Sequence, residues 1–263
     1  MIRVLVAGAG GRMGSEVVRA VSAADGMEVV AAVDPAHEDS EVLDGLGGRV
    51  VVTDDLAEAI AEATPDVMVD FTHPSVVAGN LSIALAAGVD CVVGTTGLAQ
   101  DVLGALAAQV PEGTCLFIAP NFAIGAVLMM RFAEQAARFM PAVEIVELHH
   151  DRKADAPSGT ACRTAQLVAA ARSAVPKTPG RETELPDAQG ARGAIVDGVH
   201  VHSIRLPGLV AHQEVIFGGQ GQTLAIRHDS LDRTSFMPGV VLAIREVGSR
   251  SGLIVGLEQL LGV

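Results

Sequence analysis

Near its start the chain carries Gly8-Ala9-Gly10-Gly11-Arg12-Met13-Gly14, set between an apolar, β-branched run (residues 3–7) and a stretch of helical spacing (residues 12–24). No other feature narrows the fold as much. A strand, a glycine turn and a helix in that order bring backbone close to a ligand. Glycine lacks the Cβ that would hold a pyrophosphate away from the free N–H groups of a helix start. The match to G-x-G-x-x-G is imperfect, because Met13 takes the sixth position; G-x-x-G-x-x-G, through Gly8, Gly11 and Gly14, fits instead. Asp34 lies 20 residues after Gly14, at the end of a second strand-like run (residues 29–33). A carboxylate there can accept hydrogen bonds from adenosine ribose hydroxyls. It also repels a 2′-phosphate, so NADH is slightly favoured over NADPH, with Arg12 and His37 as nearby cations that soften the preference. The plainer readings are a turn that is glycine-rich for its own sake and an Asp34 that only starts a loop.

The alternation continues through the first half. Residues 34–48 read as a polar loop, 49–52 as a strand, and 54–63 as a helix opened by a capping Asp. Residues 67–71, 90–93 and 115–119 are strand-like, and 74–87 and 101–110 helix-like. Repeated strand–helix units with near-continuous apolar strands predict a doubly wound parallel sheet covered on both faces. Two more small loops end later strands, where open α/β sheets bind ligands: Gly94-Thr95-Thr96-Gly97 and Ala119-Pro120-Asn121-Phe122. They suit the nicotinamide and its ribose, although tight turns of any kind look the same.

After about residue 122 the rhythm changes. Residues 123–139 form one long helix-like stretch, 143–148 a strand, 149–158 a polar loop and 159–173 a helix. Residues 174–192, rich in Pro, Gly and charge, read as a surface loop. Strand-like segments at 199–206, 211–217 and 223–228 are joined by short glycine-containing links, which predicts antiparallel strands. Residues 238–247 are helical and 253–261 apolar. The expectation is an α/β chain with a Rossmann-like domain over about 1–122 and an α+β domain, with a largely antiparallel sheet, over about 123–230. Residues from about 231 on could pack on either.

Composition excludes some partners. There are 18 Lys+Arg against 31 Asp+Glu, a net charge of −13, with 3% aromatics and neither Trp nor Tyr. This argues against sequence-independent binding to nucleic acid or an anionic membrane, which needs a cationic face, and removes the stacking platforms of single-strand binders. Hydrophobic residues reach 49%, but no apolar run approaches the roughly 18 residues of a membrane span. Residues 1–8 run into the glycine turn rather than a cleavage site, so a soluble, cytoplasmic protein is expected. Three cysteines, Cys91, Cys115 and Cys162, lack metal spacing and make a poor disulfide framework.

The densest chemistry is Glu147-Leu148-His149-His150-Asp151-Arg152-Lys153-Ala154-Asp155-Ala156-Pro157-Ser158-Gly159-Thr160-Ala161. Ser158, Gly159 and Thr160 open a helix, whose free N–H groups and two hydroxyls suit a carboxylate. His149, His150 and Lys153 add donors, so the loop could hold a small dianion, and a His or Lys could supply a proton to it. Against this, Ser158 is a good N-cap whatever the function, and a charged loop is usually just solvated. Adjacent His could ligate a metal, but no third ligand stands at useful spacing, and no metal is expected.

These residues resemble the signature of the 4-hydroxy-tetrahydrodipicolinate reductases, formerly dihydrodipicolinate reductases, of the diaminopimelate route to lysine. The resemblance extends over nearly the whole chain, through the Gly8–Gly14 turn, Asp70-Phe71-Thr72-His73-Pro74, Gly94-Thr95-Thr96-Gly97 and Ala119-Pro120-Asn121-Phe122. It implies NAD(P)H-dependent reduction of a cyclic imine dicarboxylate with loss of water. It implies His149 as proton donor and acceptor, and Lys153 as a second proton donor. Substrate binding would fall to His150, Gly159 and Thr160, with a carboxylate on the helix start that Ser158 opens. The cofactor would be carried by Gly8, Ala9, Gly10, Gly11, Arg12, Met13, Asp34, Gly94, Thr95, Thr96, Ala119, Pro120, Asn121 and Phe122. A homotetramer built through the second domain's sheet is implied, as is the return of residues 231–263 to the nucleotide domain. Two departures stand out: Asp34-Pro35 replaces an acidic-basic pair found in many relatives, and Ala123 replaces Ser.

With cofactor loops on one domain and the substrate loop on the other, chemistry requires closure near residues 122 and 230, and Arg233, just past the second crossing, is a candidate to bind a substrate carboxylate. The rivals are other reductases of this build and a nucleotide sensor that has lost the chemistry. A semialdehyde dehydrogenase would need a reactive Cys, and a sugar dehydrogenase would not need the Ser158-Gly159-Thr160 site. A sensor would not need His149, His150 and Lys153 together.

Overall fold

Runs of consecutive buried residues set the architecture. In a computed structural model of the protein, which describes residues 1–43, 48–140, 142–172 and 190–262, every residue of Val67–Asp70 and of Cys115–Ile118 is buried. Strands of that kind need cover on both faces. In chain order the elements are β1 (Ile2–Ala7), α1 (Gly14–Ala23), β2 (Met27–Val33), β3 (Glu41–Leu43), β4 (Arg49–Thr53), α2 (Leu56–Ala63), β5 (Val67–Asp70), α3 (Val77–Ala86), β6 (Asp90–Val93), α4 (Gln100–Ala107), β7 (Cys115–Ile118) and α5 (Ile124–Ala137). There follow β8 (Ala142–His149), α6 (Gly159–Ala171), β9 (Ala194–Val196), β10 (Val199–Arg205), β11 (Ala211–Gly219), β12 (Gln222–Ser230), a short 3-10 helix (Arg233–Phe236), α7 (Met237–Val247), β13 (Gly252–Val255) and α8 (Glu258–Leu261). Met1–Ile124 with Arg233–Gly262 make one unit and Gly125–Asp232 the other.

The first unit is an eight-stranded sheet in the order β13-β7-β6-β5-β1-β2-β4-β3, parallel except for β3. The chain winds outward from β1 through β2 to β4, then returns to β5 on the other side of β1. That reversal opens a crevice at the carboxyl ends of β1 and β5, the place where such sheets bind ligands. Leu5, Met68, Leu81, Leu85, Leu106 and Leu116, each 2% exposed or less, pack one side of the sheet. Each such side chain contributes roughly 1.5–3 kcal/mol on burial.

Two local expectations change here. The loop expected at 34–48 contains β3, which pairs antiparallel with β4 through Glu41↔Val51; three residues are too few to register as a strand pattern. The cap of α2 is Asp55, whose Oδ1 accepts from the Glu58 N–H at 3.0 Å.

The second unit is a five-stranded sheet, β12-β11-β8-β10-β9. Here the strands expected at 199–206 and 211–217 run in opposite directions but are not neighbours. β8 lies between them, parallel to β10 and antiparallel to β11. The five residues between Arg205 and Ala211 extend up to ~17 Å, enough to step across two strand spacings of about 4.8 Å each. A short link therefore fixes direction without fixing adjacency. β9 was not anticipated, and the loop expected at 174–192 lies mostly outside the described residues. α6 lies on the sheet face that carries Ile145 and Glu147, and buries Ala161, Thr164, Ala165 and Val168.

The turn after β1 leaves no room for a Cβ at Gly8 or Gly14. A Cβ on Gly14 would stand 1.9 Å from the Gly8 carbonyl oxygen, whereas one on Gly79, inside α3, would meet nothing within 4 Å. Gly14→Ala should therefore lower stability by about 1–3 kcal/mol, while Gly79→Ala should be neutral or raise it by up to about 1 kcal/mol. Urea unfolding of the two variants checks this contrast.

Candidate active site

The glycine turn is tied down by backbone. Gly8, with φ of +80°, donates to the Val33 carbonyl at 2.7 Å and accepts from the Gly11 N–H at 3.0 Å. No side chain caps the start of α1 at Met13, although the Ser15 N–H already donates to the Gly11 carbonyl at 2.9 Å; a helix start without a side-chain cap suits an anion. Asp34 is 8% exposed and belongs to the turn itself. One oxygen accepts from the Gly10 N–H at 3.0 Å and lies 3.2 Å from His37 Nδ1; the other accepts from the Ala36 N–H at 3.0 Å. The His37 ring covers Gly10, where a Cβ would fall 2.2 Å from it.

Across the crevice, Asp70 ends β5 with no solvent exposure. Its Oδ1 accepts from the Thr72 N–H (3.0 Å), the Thr72 hydroxyl (2.7 Å) and the Thr95 hydroxyl (2.8 Å); its Oδ2 accepts from Asn80 Nδ2 (2.9 Å). A buried carboxylate needs such donors, and here they join the loops after β5 and β6. Gly94 donates to the Asp70 carbonyl, and a Cβ on it would stand 2.0 Å from the Phe71 ring. Thr95 is buried and Thr96 exposed. Ala119 donates to the Val93 carbonyl, Pro120 is exposed, and Asn121 Oδ1 accepts from the Ala123 N–H at 2.8 Å. Phe122 is 3% exposed and packs on Phe71 and Phe117, with ring centroids 5.7 and 6.0 Å away. Asp70 and Phe71 therefore organise the crevice.

In the second unit, β8 ends in Glu147 and His149. Glu147 is fully buried. Its Oε2 meets His149 Nδ1 at 2.5 Å, Arg205 donates to both of its oxygens at 2.9 and 2.8 Å, and the Ser158 N–H donates at 3.3 Å. Burial alone would push this carboxyl up, but hydrogen bonds from His149, Arg205 and Ser203 hold it down at about 2. In the following loop, Lys153 Nζ pairs with Asp155 Oδ1 at 2.6 Å, which holds the Asp155 carboxyl below its usual range. The peptide before Pro157 is cis. Ser158 caps α6, accepting from the Ala161 N–H at 3.2 Å. Gly159 is exposed, with nothing within 4 Å of where a Cβ would stand. Two buried side-chain nitrogens here lack a hydrogen-bond partner: His150 Nδ1 and Arg205 Nε.

The second unit thus assembles His149, His150, Lys153, Ser158, Gly159 and Thr160 from one strand end, one loop and one helix start. Arg233 belongs to the first unit, exposed at the start of the 3-10 helix. The sequence reading missed Asp70, Glu147 and Arg205 as organising residues. Two of them left a signal: an acid within an otherwise apolar buried strand is costly unless something holds it. Arg205, 58 residues from Glu147, left none.

A doubly wound sheet with a glycine turn at its reversal point, joined to a separate unit that carries His149, His150 and Lys153 at one strand end and loop, is the build of a nicotinamide-using oxidoreductase. The comparisons are more specific. The family model described as dihydrodipicolinate reductase, N-terminus, matches residues 2–122, and that described as dihydrodipicolinate reductase, C-terminus, matches 125–261. The chain belongs to this family. It is 52% identical over 263 residues to 4-hydroxy-tetrahydrodipicolinate reductase of Mycobacterium sp. (strain KMS), covering 99% of both chains. It is 53% identical over 264 residues to that of Nocardia farcinica (strain IFM 10152), covering 99% of this chain and 98% of that one. A solved structure of dipicolinate-bound dihydrodipicolinate reductase from Paenisporosarcina sp. TG-14 superposes with a TM-score of 0.87 at 42% identity, over 98% of this chain and 99% of that chain. An amine dehydrogenase from Mycobacterium smegmatis, with a TM-score of 0.65 at 16% identity over 98% and 95% of the two chains, shares the fold.

Glu147 should make stability depend on acid. Its native value of about 2 lies below the ordinary 4.5, so its contribution is complete above the higher value and is lost as pH falls through the lower. The gap is worth about 3 kcal/mol. Glu147→Gln should lose about 3–5 kcal/mol at neutral pH, because Arg205 is left unpaired, and should show a shallower fall in stability below pH ~4.5 in urea titrations.

Proposed function

We propose that the chain reduces 4-hydroxy-tetrahydrodipicolinate to tetrahydrodipicolinate with NADH or NADPH, releasing water. The observation that carries this reading is His149 held on the buried Glu147, which also takes the Ser158 N–H at the start of α6, with Lys153 four residues on, in a chain of the reductase family. NADH is placed slightly ahead, since the Asp34 carboxylate disfavours a 2′-phosphate. The cofactor fits the first unit: the turn brings backbone in closely, with no space for a Cβ at Gly8 or Gly14, and no side chain caps α1. Gly8, Ala9, Gly10, Gly11, Arg12, Met13 and Asp34 would hold its adenosine and pyrophosphate. Gly94, Thr95, Thr96, Ala119, Pro120, Asn121 and Phe122 would hold its nicotinamide end. When bound, the reduced nicotinamide supplies a hydride to the substrate ring.

The chain's own residues do the rest. A substrate carboxylate is read as lying at the start of α6, beside Ser158, Gly159 and Thr160, with His150 Nδ1 as a further partner. The other carboxylate falls to Arg233 of the first unit. Protonating the ring nitrogen makes it a better hydride acceptor, and His149 or Lys153 can give that proton. Lys153 Nζ must first leave Asp155, whose own side chain is exposed. The rival semialdehyde chemistry finds little support: Cys91 and Cys115 are buried, and burial beside Asp90 pushes the Cys115 thiol up to about 11.

Assembly as a homotetramer through the second unit's sheet completes the reading. Its support is the sheet face away from α6, where Ile204 and Ile216 are each 36% exposed, since apolar side chains on an open face favour a partner. Among the described residues no helix is long and apolar enough to cross a membrane.

A coupled assay with enzymatically generated substrate, run with NADH and NADPH in parallel, tests the reading. Rapid oxidation that vanishes in a His149→Ala, Lys153→Ala double variant is expected, with Lys153→Ala alone losing mainly kcat. Cofactor binding without oxidation would sink the reductase reading. A raised KM at unchanged kcat would reduce Lys153 to a binding role.

A further inference from the structure

The imidazole of His149 is held by a buried ion pair rather than by the loop it precedes. We propose that Glu147 and Arg205 are positioning residues that fix which nitrogen of His149 exchanges its proton and how much negative charge the ring feels. This rests on reading His149 as a proton-transfer group. Glu147 is acceptor-only when ionised, so the ring must donate from Nδ1 across the 2.5 Å contact. That leaves Nε2 as the nitrogen that gives or takes a proton. Glu147 cannot swing away, because the guanidinium bonds both of its oxygens, the Ser158 N–H bonds one of them, and no part of it reaches solvent.

Arg205 has a second task. Its Nη2 also donates to the Asp155 carbonyl at 2.7 Å, and the Asp155 carboxylate holds Lys153 Nζ at 2.6 Å. One guanidinium therefore touches both the carboxylate that orients His149 and the loop that carries Lys153. With Arg205 present the carboxylate's charge is shared between a guanidinium and an imidazole; without it, the imidazole would feel all of it. The other groups around His149 are mostly neutral. β11 places Ala211 opposite it and Gln213 opposite Glu147, and Ser158 of the α6 cap is uncharged. The titratable and charged groups of the following loop are His150, Asp151, Arg152, Lys153 and Asp155, of which Lys153 and Asp155 pair with each other.

The two substitutions should act in opposite directions, which a purely structural role would not produce. Four proteins are compared with the parent: Glu147→Gln, Arg205→Met, Arg205→Lys and His149→Ala. The readouts are the pH profile of kcat/KM with enzymatically generated substrate and 15N spectra of the histidine rings in the free protein. The His149 signals are those lost in His149→Ala. In Glu147→Gln, which removes a negative charge beside the ring, the limb of the profile should move down, and in Arg205→Met, which removes a positive one, up. kcat should fall about 100-fold or more in Glu147→Gln, with KM changed less than about threefold if substrate binding is untouched. The spectra should show Nδ1–H as the dominant neutral form in the parent and a mixture in Glu147→Gln. If Glu147→Gln does not fold, the Arg205 pair carries the test: Arg205→Lys restores the charge and should bring the limb back toward the parent. Unmoved limbs with an unchanged tautomer would overturn the proposal. Full activity in His149→Ala would instead overturn the proton-transfer reading, and the ring spectra would still judge the positioning claim.

Discussion

Each unit is organised by a carboxylate with no access to water at the end of a strand. An ionised carboxylate in a protein interior is tolerated only where donors surround it, and satisfying those donors brings distant loops together. Asp70 collects Thr72, Asn80 and Thr95, so the loops after β5 and β6 meet beside the glycine turn. Glu147 collects His149, Arg205 and Ser158, so a strand end, a neighbouring strand and a helix start meet at one point. The two differ in kind. Asp70 takes neutral donors, whereas Glu147 takes an ion pair, which is why acid is expected to loosen the second unit through it.

Steric demands do the complementary work. Gly14 lets α1 pack against the end of β1, Gly94 leaves room for the Phe71 ring, and Gly10 leaves room for His37. Asp34, expected as a free partner for a ribose, also closes the turn by accepting from Gly10 and Ala36. A carboxylate can do both, since each oxygen accepts more than one hydrogen bond. Gly159 is different: it has open space around it, so packing does not demand glycine there. What its small size provides is exposed backbone at the start of α6.

Much of the fold was legible because its signals are local. Strands such as Val67–Asp70 declare themselves by unbroken apolar runs, and the glycine turn by its place between strand and helix. The candidate site of the second unit was legible for the same reason, since His149, Lys153 and Ser158 lie within ten residues of one another. β3 and β9 were not legible, because three residues carry too little pattern. The place of β8 between β10 and β11 was not legible either: link length limits how far a strand can travel and says nothing about what is already there.

The chain's own order of residues determined the sheet type of the first unit, the position of its glycine turn and which side chains are proposed to bind the nucleotide and move the proton. These depend on periodicity and on neighbours a few positions apart. Only the tertiary structure decided what holds those side chains in place. Arg205 reaches Glu147 because β10 lies parallel to β8, with Ser203 opposite Glu147 and Arg205 opposite His149. That register goes with burying the face of β8 and β10 that lies under α6, a cooperative burial that no short stretch of sequence encodes.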